Sequence, residues 1–206
     1  MKKDQKWLHI IEKFQEMDAS LKGVWMVADL CNLVRGGSPL NNIRAIKHLL
    51  SLGLIQKIQR GCYISKNANL VTLACRLNPQ SYVSMEVILS EHNLIGSTPK
   101  NIVSMIHLGR AKKVKTPIGF IQYFSTQKTL WFGFSKNSEG CLIAEPEKAF
   151  LDMLYYYTHG VRFVVDPLSE VDVSGLNQKK LKNYLGKYKN PKFRKFVLNI
   201  LETPYE

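Results

Sequence analysis

Apolar residues recur at helical spacing through the first third of the chain and switch to alternation after residue 53. Trp7, Leu8, Ile10, Ile11 and Phe14 line one side of a helix predicted over 3–16, with Lys6, Glu12, Lys13 and Glu16 on the other. A polar link through Ser20 and Gly23 ends it. Trp25 to Val34 predicts a second, short helix with Val27 and Leu30 inward. Arg35-Gly36-Gly37-Ser38-Pro39 stops that helix and starts another, because glycine suits the left-handed exit, Ser38 can cap and Pro39 fits a first turn. A third helix is therefore predicted from Pro39 to Leu52, closed by Gly53. Leu54, Ile55 and Ile58 then lead through Gln59-Arg60-Gly61 to Cys62, Tyr63 and Ile64, the pattern of a hairpin. A connecting helix follows over 67–77, ended by Asn78-Pro79.

The remainder mixes both periods. A helix is predicted over 82–92, with strands over 101–108, 118–124, 130–134 and 141–144, and Thr116-Pro117-Ile118-Gly119 as a turn. Glu145-Pro146-Glu147 opens a helix running through Tyr157, and two basic helices, at about 175–186 and 191–202, complete the chain. The expected fold class is α+β. Residues 1–76 are expected to form a winged helix-turn-helix domain, and 77–206 a mixed α/β domain with an antiparallel sheet and terminal basic helices.

The third helix changes this from a fold expectation to a chemical one. At about 100° per residue, Leu40, Ile43, Ile46, Leu49 and Leu50 fall on one broad side, and Asn41, Arg44, His48 and Ser51 on the other. The helix carries no acid. Asn and Arg match adenine and guanine edges bidentately, so Asn41, Arg44 and His48 are the candidate base readers, with a plain solvated residue an equal reading of His48. Arg35, Lys47, Lys57 and Arg60 are candidate phosphate contacts, and Ser38 and Asn42 flank the same surface. A helical interaction module for another protein is the competing interpretation of this domain.

Net charge points the same way. The 206 residues hold 29 Lys and Arg against 16 Asp and Glu, a formal +13, which suits a polyanionic partner. Residues 1–76 carry 12 basic and 5 acidic side chains, or +7, and 77–206 carry 17 and 11, or +6. Between Asp172 and Glu202 there is no acid, while Lys179, Lys180, Lys182, Lys187 and Lys189 interleave with Leu181, Tyr184, Leu185 and Tyr188. Such a face is expected to extend a DNA footprint or to meet an acidic protein. With 45% hydrophobic residues the chain is not a disordered one. No apolar run approaches the length of a membrane span and no apolar core follows the basic start, so no membrane partner and a cytoplasmic location are expected. Cys31, Cys62, Cys75 and Cys141 lack metal-ligand spacing and are expected as reduced core thiols, with no metal and no cofactor. Ser84, Glu86, Glu91 and His92 invite a Ser/His/acid reading that proximity in sequence alone does not support. No G-x-G-x-x-G or Walker loop is present, and no catalytic residue is assigned.

In order along the chain come Arg60-Gly61-Cys62-Tyr63, Tyr82-Val83-Ser84-Met85-Glu86, Ser90-Glu91-His92-Asn93-Leu94-Ile95, Thr116-Pro117-Ile118-Gly119, Trp131-Phe132-Gly133-Phe134 and Ala144-Glu145-Pro146-Glu147-Lys148-Ala149-Phe150-Leu151-Asp152. This series resembles the AbiEi family of antitoxins and transcriptional regulators from AbiE abortive-infection (type IV) toxin-antitoxin systems. The resemblance implies a winged helix that binds inverted repeats in its own promoter as a negative autoregulator. It also implies a C-terminal domain that counters a nucleotidyltransferase-like toxin, with or without a stable complex, and some relatives have been proposed to act enzymatically on the toxin. Glu145 departs from the Thr or Ser expected before Pro146, which leaves that helix cap open. Lys148 and Asp152, four apart in the most recognisable of these motifs, share a helix face. A surface ion pair is the preferred interpretation, and a half-buried pair organising a pocket the alternative. The remaining functional alternatives are an enzyme-like C-terminal domain and a ligand-responsive repressor.

Overall fold

The computed structural model describes residues 2–34, 39–96 and 99–202. It is α+β, with eight α-helices and two sheets among the described residues. The chain divides into two units, Met1–Leu77 and Asn78–Glu206, one residue from the expected boundary.

The first unit opens with α1 (Lys2–Ser20), which runs four residues beyond the predicted end at Glu16. Lys22 and Gly23 turn the chain out of α1 at positive φ (46° and 69°), with the Gly23 amide donating to Asp18 O. Gly23 is required twice over: a Cβ there would lie 2.4 Å from the backbone nitrogen of Ala68. That close approach lets the Ser65 amide donate to Gly23 O and the Asn69 amide to Lys22 O. The expected helix over 25–34 is corrected at both ends: β1 (Val24–Met26) takes its first two residues, and the six-residue α2 (Val27–Asn32) ends two residues early. Trp25 explains the difference. Its ring is fully buried and stacked on Phe14 at 4.7 Å, and its indole N–H donates to Asp18, a placement the extended backbone allows while β1 pairs with β3. The predicted stop signal at Arg35–Ser38 lies outside the described residues. After α3 (Pro39–Ser51) come β2 (Gln56–Gln59) and β3 (Cys62–Ile64), paired antiparallel as the hairpin pattern requires, in a sheet of order β1-β3-β2. The connecting helix is shorter than predicted, α4 (Leu70–Leu77), capped by Asn69 and packed on β1, with Leu73 and Ala74 fully buried. Arg76 clamps it by donating to Val24 O and to the Asp29 carboxylate.

In the second unit, β4 (Ser81–Val83) and a short α5 (Glu86–Glu91) replace the single helix predicted over 82–92. A short apolar run is ambiguous between the two periods, and here it lies in the middle of a sheet. Met85 joins strand to helix at φ 61°, ψ −133°, a strained conformation for a non-glycine residue. The next strands are β5 (Ile102–His107), β6 (Lys112–Thr116) and β7 (Gly119–Ser125), of which lysine-rich β6 had no apolar pattern to announce it. The strand predicted over 130–134 is a 3-10 turn at Lys128–Leu130, followed by β8 (Phe134–Lys136) and then β9 (Leu142–Ala144). The sheet runs β6-β7-β5-β4-β9-β8 and is mixed, not antiparallel: β4 with β9 and β5 with β7 are parallel. Central α6 (Pro146–Thr158) buries Ala149, Phe150, Leu151, Met153 and Leu154 completely. The chain ends with α7 (Gln178–Leu185), capped by Asn177, and α8 (Pro191–Glu202). No helix among the described residues is long and apolar enough to cross a membrane.

Candidate nucleic-acid interface and a buried ion pair

The face that α3 turns to the core differs from the expected one. Ala45 and Leu49 are buried, against a cluster that includes Phe14, Trp25 and Leu30, with Ile46 packed beside them. Leu40, Ile43 and Leu50, expected inward, are 54%, 51% and 36% exposed. The helix is thus rotated from the orientation that maximises aliphatic burial. Small Ala45 permits close approach to the core, and the His48 ring packs on Trp7 with centroids 4.3 Å apart. Asn41, Asn42 and His48 are consequently half-buried on the flanks, while Arg44 and Lys47 face outward between the exposed aliphatics. On the hairpin, Lys57 and Arg60 are both exposed. Arg35 and Ser38 lie outside the described residues.

Two acids of this unit, Asp18 and Asp29, are engaged internally, while Glu12 and Glu16 are exposed on α1. Asp18 is buried and accepts from Trp25 Nε1 (2.7 Å), Ser65 Oγ (2.8 Å) and Asn67 Nδ2 (2.9 Å). Asp29 accepts from the Met26 amide and from Arg76. No local pattern marks Asp18, because two of its donors come from a segment 47 and 49 residues later.

In the second unit, Lys148 and Asp152 are bonded to each other, but not at the surface. Lys148 is 0% exposed and Asp152 3%. The preferred surface-pair expectation is corrected by what surrounds them. Asp152 also accepts from Tyr82 Oη (3.0 Å) and Ser84 Oγ (2.8 Å), both brought in by β4 and the Met85 turn. Lys148 donates to Asp152 and lies 3.3 Å from Tyr188 Oη, with its ammonium 4.8 Å from the Phe132 ring centroid. Gly133, at φ 72°, allows this packing, since a Cβ there would sit 3.0 Å from Lys148 Cβ. Burial, and then the Asp152 charge, push the Tyr82 and Tyr188 hydroxyls well above the usual phenol range, so both remain protonated donors. The pair joins α6 to β4 and to the α7–α8 connection.

Ser84, Glu86, Glu91 and His92 are not brought together. Ser84 serves Asp152, Glu86 accepts from Ser104 Oγ, and Glu91 and His92 are exposed. Burial raises the Glu86 carboxyl above its ordinary range, only partly offset by its own backbone N–H and Ser104. Glu145 makes no side-chain cap for α6; it accepts instead from Tyr184 Oη and from Lys180 Nζ (3.0 Å). Burial works against its ionisation, but those two donors outweigh it and hold the carboxyl below the usual range.

Of the basic terminal face, Lys179, Lys182, Lys187 and Lys189 are exposed, whereas Lys180 is half-buried and engaged with Glu145 and Glu147. Lys187 Nζ rests 4.1 Å from the Phe132 centroid. A second cationic region has a signal in the sequence: no acid occurs between Glu91 and Glu139, a stretch that holds Lys100, Arg110, Lys112, Lys113, Lys115, Lys128 and Lys136. Three of these stand on β6, at the edge of the sheet. Cys62, Cys75 and Cys141 are buried and Cys31 half-buried, with no disulfide between them.

No protein-family model matches the chain, and no curated protein matches it. Among solved structures it is similar to the crystal structure of the Rv2827c protein from Mycobacterium tuberculosis, with a TM-score of 0.60 at 12% sequence identity, covering 96% of this chain and 78% of that one. At that identity the likeness is one of fold.

Proposed function

We propose that this chain is a DNA-binding autorepressor and antitoxin, whose first unit is a winged helix-turn-helix that binds inverted repeats in its own promoter. The observation that carries the DNA-binding part is the exposure of Arg44 and Lys47 on α3 and of Lys57 and Arg60 on the hairpin, in a unit whose Asp18 and Asp29 are engaged internally. The element order supports the winged-helix interpretation, with three helices followed by a two-stranded ribbon. In this reading Arg44 reaches base edges near the N-terminal half of α3, Lys47 and the hairpin cations hold phosphates, and Asn41 and His48 contribute from the flanks. The antitoxin part rests on the motif series that resembles AbiEi, and its partner is a nucleotidyltransferase-like toxin encoded beside it.

Footprinting and salt-dependent binding on the upstream promoter test the first part. A steep fall of affinity with salt, about 0.9 log units per log unit of salt for each phosphate neutralised, supports it; a flat dependence on specific duplex rejects it. Growth rescue on co-expression with the product of the adjacent gene tests the second. A ligand-responsive repressor is the second reading. It is favoured by a cavity of about 200 Å³ in the second unit, where Glu86, Ser104 and Gln122 meet Phe124 and Phe163 with Arg162 at the side.

A further inference from the structure

Leu40 and Ile43 are more than half exposed on the first two turns of α3, although the same helix buries Ala45 and Leu49. Between and beside them stand Lys47 and Arg44, and the helix has no acid. Any surface that covers this face must satisfy aliphatic side chains and cations within one helical turn of each other. A second copy docked through the same face would bring Arg44 and Lys47 towards their own counterparts, because a two-fold contact is self-complementary. The major groove of DNA offers both kinds of surface at once: anionic phosphate walls about 12 Å apart, and a floor on which each thymine displays a C5-methyl group.

We propose that Leu40 and Ile43 read thymine C5-methyl groups, so that the preferred duplex of this protein carries thymines at the positions beneath the N-terminal half of α3. The inference rests on the DNA-binding reading above and adds to it a base class and the residues that choose it. Leu40 and Ile43 are about 4.5 Å apart along the helix axis, a little over the 3.4 Å rise of one base step, so they address neighbouring or next-neighbouring base pairs. Leu50, about 15 Å from Leu40 along the axis, lies too far up the helix to share that floor and serves as an internal control.

The test uses the full chain. A preferred duplex is selected from a randomised pool, and each thymine in it is then replaced singly by deoxyuracil, which removes the methyl group and keeps every hydrogen-bonding atom. At one or two positions the replacement weakens binding by about fourfold, the value of one buried methyl. In Leu40→Ser or Ile43→Ser the same replacement changes affinity less than twofold, while in Leu50→Ser the fourfold loss persists. Uniform tolerance of deoxyuracil, or an equal loss in wild type and in both serine variants, overturns the methyl-reading proposal and leaves DNA binding standing. A chain that enriches no duplex removes both together. Concentration-dependent dimerisation abolished by Leu40→Ser and Ile43→Ser, alongside uniform tolerance of deoxyuracil, assigns the face to a second copy instead.

Discussion

Two helices of equal length, α3 and α6, each 13 residues and each opened by a proline, treat their side chains in opposite ways. α3 displays Leu40, Ile43 and Leu50 and keeps a small alanine for the core; α6 encloses Lys148, Asp152 and Glu147 among Phe150, Leu151 and Leu154. Simple amphipathicity predicts neither. Aliphatics left outward lower the stability of the free protein only by the burial they forgo, and they are available to an apolar partner surface. Charges placed inward have to be fully partnered, because an orphaned buried charge costs several kcal/mol. Asp152 meets that demand with three donors drawn from α6 and from the β4–Met85 segment.

The sharpest way to break the comparison is at α6. Asp152→Ala leaves the Lys148 ammonium buried without its carboxylate and strands the Tyr82 and Ser84 hydroxyls. Chemical denaturation is expected to show a loss of about 3–5 kcal/mol, with Lys148→Met/Asp152→Leu recovering a large part of it. If Asp152→Ala costs no more than an ordinary surface substitution, the pair does not tie α6 to β4 and the α7–α8 connection. Next in size is Arg44→Ala, expected to weaken specific operator binding by about 1–3 kcal/mol while leaving the thermal unfolding midpoint in place. Lys57→Ala and Arg60→Ala should act more gently and uniformly across sequences, each lowering the salt slope by about one, as titration of affinity against salt will register. On the folding side, Ile43→Ser is expected to change stability by no more than about 0.5 kcal/mol, an order below Asp152→Ala, if α3 is built for a partner and not for its own core.

Glu86 refines the contrast within the second unit through pH. Its folded-state carboxyl is raised by burial, so its contribution to stability is present below the ordinary Glu range and is lost as pH rises through the raised value. Glu86→Gln is therefore expected to be more stable than wild type at neutral pH, with the difference closing as the solution is acidified towards pH ~4. Unfolding midpoints measured across that window decide it, and a difference that widens on acidification refutes the assignment.

How far the sequence led depends on whether a signal was local. The hairpin was legible because Gly61, at φ 82°, sits at a turn between two short alternating runs, and α6 because proline follows an extended residue at its start. β1 and β4 were hidden. Trp25 and Tyr82 belong to apolar runs that suit a helix equally well, and only the partners β3, β5 and β9 decide for strand. The same holds for sites. The spacing of Lys148 and Asp152 placed them on one helix face, but their burial depends on Tyr82, Ser84 and Tyr188, residues 70, 68 and 40 positions removed from their partners. The orientation of α3 escaped because a count of aliphatics gives Ala45 little weight, whereas close packing favours the small residue where two elements approach most nearly. Lys180 shares the spacing of the outer basic face, and only the fold brings it to Glu145 and Glu147.

The six-stranded sheet ends on both sides in strands that carry lysine, Lys112, Lys113 and Lys115 on β6 and Lys136 on the three-residue β8. An extended segment of another chain that tried to prolong the ladder along β6 would have to desolvate three ammonium groups to reach the free backbone N–H and C=O groups. These lysines therefore act as gatekeepers against sheet growth, a role independent of any partner the protein recognises. Acetylating them, which leaves the strand intact and erases its charge, is expected to turn a self-limiting edge into a template for aggregation.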